Sequence, residues 1–173
     1  MKRFNLIIFL SVLMLFSCRQ MQQQNGQQQG GQQQGRQNEY TDIQKALKDS
    51  SVMALILSQK NLSVLPPEIT KLSGLQSIEL AQNLFTTFPV ELCHLTNLQV
   101  INLSMNKIKA LPPEIGNLTK LRILSLGRNS LTTLPKEIAK LTNLQILNLD
   151  GNSIPPKEKD KIKALLPKCN INY

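Results

Sequence analysis

The chain has 173 residues, enough for one domain, and 4% of them are aromatic, which argues against a globular core built on large aromatic anchors. A solenoid needs no such anchors, because rows of Leu and Ile fill its core. Lys and Arg number 20 against 11 Asp and Glu, for a formal charge of +9. A basic surface could attract nucleic acid, anionic glycans or anionic lipid, but these lysines are spread along the chain and alternate with acids near its end. We therefore interpret them as a solvated surface and predict no nucleic-acid partner.

The chain begins with the features of a secretory signal. Lys2 and Arg3 precede a mostly apolar stretch over residues 4–16. This stretch is shorter than the ~20 apolar residues that a membrane-spanning helix needs, so it is typical of a signal peptide. Loss of Lys2 and Arg3 with the signal would lower the formal charge to +7, since 18 basic residues then face 11 acids.

Residues 15–18 read Leu-Phe-Ser-Cys, which resembles the lipobox of bacterial lipoproteins. The resemblance implies cleavage between Ser17 and Cys18, a thioether-linked diacylglycerol on Cys18 and an acylated amine. Two or more acyl chains anchor a protein stably, whereas one holds it marginally. Phe16 is bulky for the second lipobox position, and the alternative is an ordinary signal peptide with a chance Cys. We predict a lipoprotein signal peptide over residues 1–17 and lipidation at Cys18.

A low-complexity segment follows the predicted lipid anchor. Of the 19 residues from Gln20 to Asn38, 11 are Gln and four are Gly. Such a composition cannot bury enough apolar surface to offset chain entropy, so we expect disorder here. A flexible coil of this length has a root-mean-square reach of ~25 Å. Residues 18–38 are therefore predicted to be a tether between the lipid and a folded domain.

The composition changes again over residues 39–51. Thr41 and Gln44, three residues apart, fit a capping box with Thr41 as the N-cap of a helix. Apolar residues recur at helical spacing at Ile43, Ala46 and Leu47. A short amphipathic helix here would cover the open end of a solenoid, so we predict an N-terminal cap.

A 23-residue repeat occupies residues 52–154. Its copies begin at Val52, Leu75, Leu98, Leu121 and Leu144. The shared pattern is L-x-x-L-x-L-x-x-N-x-L-x-x-L-P-x-E-I-x-x-L, a leucine-rich repeat in which each copy is one strand and one return segment. The pattern predicts an α/β solenoid with parallel strands on the concave face and short helical returns on the convex face.

Each regular position of the repeat has a structural interpretation. The L-x-L pair alternates inward and outward residues as a strand does. An Asn follows in four copies, where its amide can satisfy backbone groups at a bend, while the first copy has Lys60 instead. The Pro-x-Glu step suits the first turn of a short helix, with Glu at the positive end of the dipole. Residues 155–173 break the pattern, and Ile162, Leu165 and Leu166 predict a helical C-terminal cap.

The five copies, the Leu-Pro-x-Glu-Ile-x-x-Leu return and the lipobox together resemble bacterial leucine-rich-repeat lipoproteins, especially the spirochaete kind. The resemblance covers residues 52–154 through the repeats. It implies a surface or envelope protein that binds other macromolecules, in some members host ones. It implies no catalytic residues.

Few residues could carry chemistry. His94 lies beside Cys93 on a predicted convex return, without an acidic orienter at fixed spacing, so we predict no nucleophilic or metal site and no enzyme or cofactor. Cys93 and Cys169 are three repeat spacings apart, roughly 14 Å, whereas a disulfide needs Cα atoms within about 7 Å. We therefore predict two small apolar core residues and no disulfide between them.

The outward positions of the strands are the candidate binding site. Val100, Ile123 and Ile146 would align on adjacent strands as an exposed apolar row, which either binds a partner or merely favours strand formation. Tyr and Trp are absent there, which argues against a strong hot spot. The candidate partner-binding residues are Val100, Ile123, Ile146, Arg122, Asn102 and Asn148.

The sequence thus predicts a non-enzymatic, lipid-anchored protein of the bacterial envelope, at the outer membrane, that binds a protein or peptide through its concave face. The alternative is a periplasm-facing structural or assembly lipoprotein. Both functions predict the same anchor, tether and capped solenoid, and they differ in the side of the membrane that the domain faces.

Overall fold

The computed structural model describes residues 39–49 and 51–173. The predicted signal peptide, the lipidation at Cys18 and the predicted tether lie outside the described residues.

The described residues form one parallel sheet of seven short strands that follow one another in chain order. The strands are β1 (Glu39–Tyr40), β2 (Ala54–Ile56), β3 (Ser77–Glu79), β4 (Val100–Asn102), β5 (Ile123–Ser125), β6 (Ile146–Asn148) and β7 (Asn170–Asn172). From β2 to β6 each residue pairs with the residue 23 positions later, as in Ile101 with Leu124. The register therefore equals the sequence period, and the predicted leucine-rich-repeat solenoid is confirmed.

The core is a stack of aliphatic rows, one residue from each repeat. The central residue of every strand from β2 to β6 is fully buried: Leu55, Ile78, Ile101, Leu124 and Leu147. Adjacent strands lie ~4.8 Å apart, so each of these side chains packs on its equivalents in the neighbouring copies. A copy on its own could not bury this row, which is why the repeats are stable only as a stack.

The return segments are 3₁₀ helices of five residues. They span Pro67–Lys71, Val90–His94, Pro113–Asn117 and Lys136–Lys140. Each ends at a Leu whose N–H donates to the carbonyl oxygen three residues back, as Leu118 does to Ile115 at 3.1 Å. A 3₁₀ helix rises ~2.0 Å per residue against 1.5 Å in an α-helix, so five residues suffice to cover the convex side.

The repeated Asn residues form a buried ladder along the solenoid. Asn106 is 9% exposed, and its Nδ2 donates to the carbonyl oxygens of Leu80 and Leu103, both at 3.0 Å. Its Oδ1 accepts a hydrogen bond from the Phe85 N–H at 3.1 Å. The same pattern recurs at Asn83, Asn129 and Asn152. Each amide therefore joins its own copy to the preceding one.

The residue before each ladder position has a left-handed backbone conformation. The φ values are +59° at Gln59, +56° at Gln82, +58° at Met105, +54° at Arg128 and +68° at Gly151. This conformation turns the chain out of the strand. It is costly for a residue with a Cβ, and only the last copy uses Gly.

We expect the protein with Met105→Gly to be more stable than the protein with Met105→Ala by about 1 kcal/mol, because Gly alone adopts this φ without a Cβ clash. Both changes remove the same side-chain contacts beyond Cβ, so the difference reports the backbone. Urea unfolding followed by circular dichroism would measure it. At Met53, where φ is not positive, Gly should instead be the less stable of the two; the same order at both positions would contradict the argument.

The N-terminal cap differs from the prediction in two respects. Helix α1 covers only Ile43–Ala46, and its N-cap is Asp42, whose Oδ1 accepts a hydrogen bond from the Gln44 N–H at 2.8 Å. The prediction of Thr41 as N-cap is therefore wrong by one residue. An aspartate is also a preferred N-cap residue, and Asp42 caps the N–H two residues further on, a spacing that differs from the three residues of the capping box. Strand β1, which pairs with β2 ahead of the helix, was not predicted.

The C-terminal cap consists of helix α2 (Pro156–Leu165) and strand β7. Ile162 is fully buried and Leu166 is 5% exposed, so the predicted apolar face packs on the core. Glu158 accepts a hydrogen bond from Thr133 Oγ1 at 2.6 Å and contacts Lys161 Nζ at 3.0 Å. The Thr133 hydrogen bond, followed by the one from Lys161, lowers the pKa of Glu158. These contacts join the cap to the fourth copy.

Candidate binding surface

The concave face begins with the row that the sequence singled out. Val100, Ile123 and Ile146 pair in register on β4, β5 and β6, so they lie side by side. They are less accessible than expected, since Val100 is 6% exposed and Ile123 is 7% exposed, while Ile146 is partly exposed. Neighbouring side chains of the same row cover them, because strands ~4.8 Å apart bring β-branched side chains into contact. The expectation of an exposed apolar row is corrected to a largely buried one.

Asn102 and Asn148 occupy the next outward row. Asn102 is 6% exposed, and its Nδ2 donates to Glu79 Oε2 at 2.9 Å while its Oδ1 accepts from the Ser104 N–H at 3.0 Å. Asn148 is partly exposed, and its Oδ1 accepts from the Asp150 N–H at 2.9 Å. Asn102 thus uses both ends of its amide within its own sheet, and Asn148 uses its oxygen. We call the first and third residues of β4, β5 and β6 the concave floor: Val100, Ile123 and Ile146, with Asn102, Ser125 and Asn148.

One rim of this floor is rich in amides. It consists of the residues that precede β3 to β6, namely Gln76, Gln99, Arg122 and Gln145. Gln99 Nε2 donates to Gln76 Oε1 at 3.3 Å, and Arg122 donates to Gln145 Oε1 at 3.4 Å. These side chains are partly or fully exposed, so this amide rim presents donors and acceptors in a row.

The opposite rim is the row of left-handed residues, and sequence reasoning missed it. Gln59, Gln82, Met105 and Arg128 are all exposed. Gln59 and Gln82 hydrogen-bond through their side-chain amides. The signal that could have found this left-handed rim is positional: the residue before each ladder Asn varies between copies, which shows that the repeat does not dictate its side chain. Across β4 to β6, two rims of partly or fully exposed side chains therefore lie on either side of a floor in which only Ile146 and Asn148 are partly exposed.

Reactive groups do not converge in the described part of the chain. Cys93 is 1% exposed, and burial, followed by the charges of Glu114 and Glu91, raises the pKa of its thiol to about 12. A thiol held protonated in this way is a poor nucleophile, although exposed His94 is its neighbour in sequence. Cys169 is 3% exposed, and its pKa is also raised by burial. Both cysteines are buried and free, and their predicted role as core residues is confirmed.

Two further features are absent from residues 39–49 and 51–173. These residues contain no group of three or more His, Cys, Asp or Glu residues placed to hold a metal ion. They also contain no helix that is long and apolar enough to cross a membrane.

A parallel sheet with a 23-residue register, 3₁₀ returns and an Asn ladder is the architecture of a leucine-rich-repeat solenoid. The leucine rich repeat family matches residues 50–108 and 96–154, so the chain belongs to that family. Leucine-rich repeats form extended concave surfaces that serve as binding scaffolds. A comparison with curated proteins found no match.

Several solved structures are similar to this chain. A leucine-rich-repeat protein of Leptospira interrogans is 51% identical, with a TM-score of 0.69, over 72% of this chain and 32% of that one. An internalin C2 from Listeria monocytogenes is 25% identical, with a TM-score of 0.62, over 77% of this chain and 55% of that one. The plant peptide hormone receptor RGFR1 in complex with RGF2 is 26% identical, with a TM-score of 0.59, over 78% of this chain and 22% of that one. The chain thus spans about a third of the length of the Leptospira protein.

Proposed function

We propose that this protein is a lipid-anchored component of the bacterial envelope, at the outer membrane, that binds a protein or peptide partner through its concave face. The observation that carries the binding proposal is the pair of accessible rims on either side of the sheet. The support for the anchor is the signal-like start and the Leu-Phe-Ser-Cys sequence that ends at Cys18. In a solved neighbour of this fold, a plant peptide hormone receptor is in complex with RGF2, and we extend peptide or protein binding to this chain.

The rims, rather than the floor, supply the contacts in this proposal. Arg122 lies on the amide rim and Arg128 on the left-handed rim of the same copy, so two guanidinium groups lie on either side of the floor. Arg is enriched in binding hot spots because its planar group forms several hydrogen bonds at once. Met105, 41% exposed beside Arg128 in the row, adds an adaptable apolar contact. Val100, Ile123 and Ile146 would support these side chains from below.

A binding experiment tests this arrangement. Partners are captured by crosslinking to the intact lipoprotein on cells, identified, and then titrated against the purified protein. The combined change Met105→Ala, Arg122→Ala and Arg128→Ala should weaken binding at least tenfold, which corresponds to about 1.4 kcal/mol. The matched control removes two exposed lysines of the convex cap and return segments, Lys140→Ala and Lys157→Ala, and should leave affinity unchanged. Equal effects of the two sets would remove the concave rims from the site.

The anchor and the membrane side are tested separately. Cys18→Ala should remove the lipid and, because the cleavage predicted at the lipobox is lost with it, leave residues 1–17 attached, and mass spectrometry of the variant measures both changes. Protease shaving of intact cells then distinguishes a surface-facing binding protein, which is cut, from a periplasm-facing structural or assembly lipoprotein, which is protected. A wild-type protein whose mass shows no lipid on Cys18 would overturn the anchor.

A further inference from the structure

An apolar patch lies on one edge of the first two repeats. Val64 is 73% exposed, Val90 is 44% exposed and Leu84 is 43% exposed. Val64 and Val90 line a hollow of about 120 Å³, and Phe85, which also lines it, directly follows Leu84. We call Val64, Leu84 and Val90 the apolar edge. These are three of the five large apolar side chains that are exposed within the described ranges.

The repeat does not require this patch. In the other copies the positions equivalent to the apolar edge carry polar residues, Pro or Ala. The equivalents of Val64 are Thr87, Ala110 and Thr133. Those of Leu84 are Asn61, Lys107, Ser130 and Ser153, and those of Val90 are Pro67, Pro113 and Lys136. Exposed apolar residues that depart from a repeat in one place mark an interaction site more strongly than residues scattered singly.

Lysines border the apolar edge. The Lys107 N–H donates to the Phe85 carbonyl oxygen at 2.8 Å, which places Lys107 on the copy beside Leu84. The Lys109 N–H donates to the carbonyl oxygen of Thr86 at 3.4 Å. On the other side, the Lys60 N–H donates to the side chain of the residue that precedes Leu84. Lys60, Lys107 and Lys109 are exposed around Leu84, whereas the acids Glu68, Glu91 and Glu114 occupy one equivalent position in the three returns on the Val90 side.

We propose that the apolar edge and its lysines dock on an anionic lipid surface, a proposal that rests on the lipid anchor under the proposed function. Apolar side chains enter the boundary between headgroups and acyl chains, while lysines at their margin pair with lipid phosphates. The same chemistry could serve an acidic protein, but two observations favour the membrane. Strand β1 pairs with β2, so the chain enters the domain at the copies that carry the patch. Only 20 residues lie between Cys18 and Glu39, a span of at most roughly 70 Å.

Docking of this kind would orient the solenoid. The apolar edge lies on the side of the first two copies, whereas the rims belong to the concave face. A domain docked through this edge has a fixed orientation on the membrane, and its concave face stays accessible to a partner. The lipid chain and the patch then act together, since tethering raises the local concentration of lipid at a surface whose own affinity is weak.

The test places a fluorophore on the patch of the acylated protein. The protein carrying Leu84→Cys is purified with its lipid, labelled with an environment-sensitive dye, and reconstituted into vesicles of phosphatidylethanolamine and phosphatidylglycerol. Cys93 and Cys169 are 1% and 3% exposed, so the new thiol is the accessible one in the folded domain. The matched control is Ser130→Cys, the equivalent position two copies later. We expect a blue shift and quenching by lipid-attached quenchers at position 84 only.

Two further arms separate the possible outcomes. Combining Leu84→Cys with Lys60→Gln, Lys107→Gln and Lys109→Gln, or replacing phosphatidylglycerol by phosphatidylcholine, should at least halve the fraction of quenched dye. The changes Lys120→Gln, Lys140→Gln and Lys168→Gln should not. If the protein stays on the vesicles but the dye has the same emission spectrum at positions 84 and 130, the docking proposal is wrong and the anchor stands. Protein that does not associate with vesicles at all would overturn the anchor.

Discussion

Replacing Asn106 by Ala is expected to lower the free energy of unfolding by about 3 kcal/mol, because two carbonyl oxygens and one N–H lose a buried partner together. The amide of Asn106 contacts Leu80, Leu103 and Phe85, so the loss falls on the junction between the second and third copies. Urea unfolding followed by circular dichroism measures the change. A conservative Asn106→Asp should also destabilise, since a carboxylate cannot donate to the two carbonyl oxygens.

Asn117→Ala provides the control for the ladder. Asn117 is exposed at the end of the third 3₁₀ helix, and its replacement should change stability by less than about 0.5 kcal/mol. Because the solenoid is a one-dimensional stack, the ladder change should also weaken coupling between copies. Similar stabilities for the two Ala variants would contradict a structural role for the ladder.

Gly116→Leu is expected to destabilise the protein by about 2–3 kcal/mol through overpacking of the convex layer. A Cβ at Gly116 would lie 2.9 Å from Lys140 Cδ and 3.0 Å from the carbonyl oxygen of Glu137. Lys140 could move aside, but the carbonyl oxygen belongs to the neighbouring 3₁₀ helix and can retreat only if the two returns separate. Thermal unfolding would show the loss as a lower midpoint, with Gly116→Ala in between.

The matched control for this change is Thr70→Leu. Thr70 is the equivalent residue of the first return and is exposed, so a larger side chain there meets solvent. We expect little change in the midpoint. If Thr70→Leu proved as harmful as Gly116→Leu, the cause would be the 3₁₀ backbone itself rather than the close approach of two returns.

Much of the fold follows from the 23-residue period. Once Leu103 is assigned an inward position, Leu126 and Leu149 must share it, because a parallel stack in register places equivalent residues above one another. The role of the Asn residues also follows, since an amide that donates and accepts is suited to a bend where backbone groups lack partners. The residue that caps the first helix did not follow from the period: the capping-box spacing indicated Thr41, whereas the N-cap is Asp42.

The candidate site depended more on the tertiary structure. Alternation along the strand placed Val100, Ile123 and Ile146 outward, and they lie outside the core cluster, but an outward position is not the same as an exposed one. Accessibility depends on what stands on the adjacent strands, and here β-branched neighbours cover one another. Residues such as Met105, which carry no strand signal, are accessible because a left-handed turn lifts them out of the sheet.

The sequence by itself determined that this protein is a leucine-rich-repeat solenoid, because the same Leu and Asn positions recur every 23 residues in successive copies. Only the tertiary structure decided which side chains a partner could reach. Exposure arises between copies, from the packing of side chains that are 23 residues apart, and it separated the buried floor at Val100 and Ile123 from the open rims. The same packing revealed the apolar edge of the first two copies: Val64 and Val90, dispersed in the chain, line one hollow, and exposed Leu84 directly precedes Phe85, which also lines it.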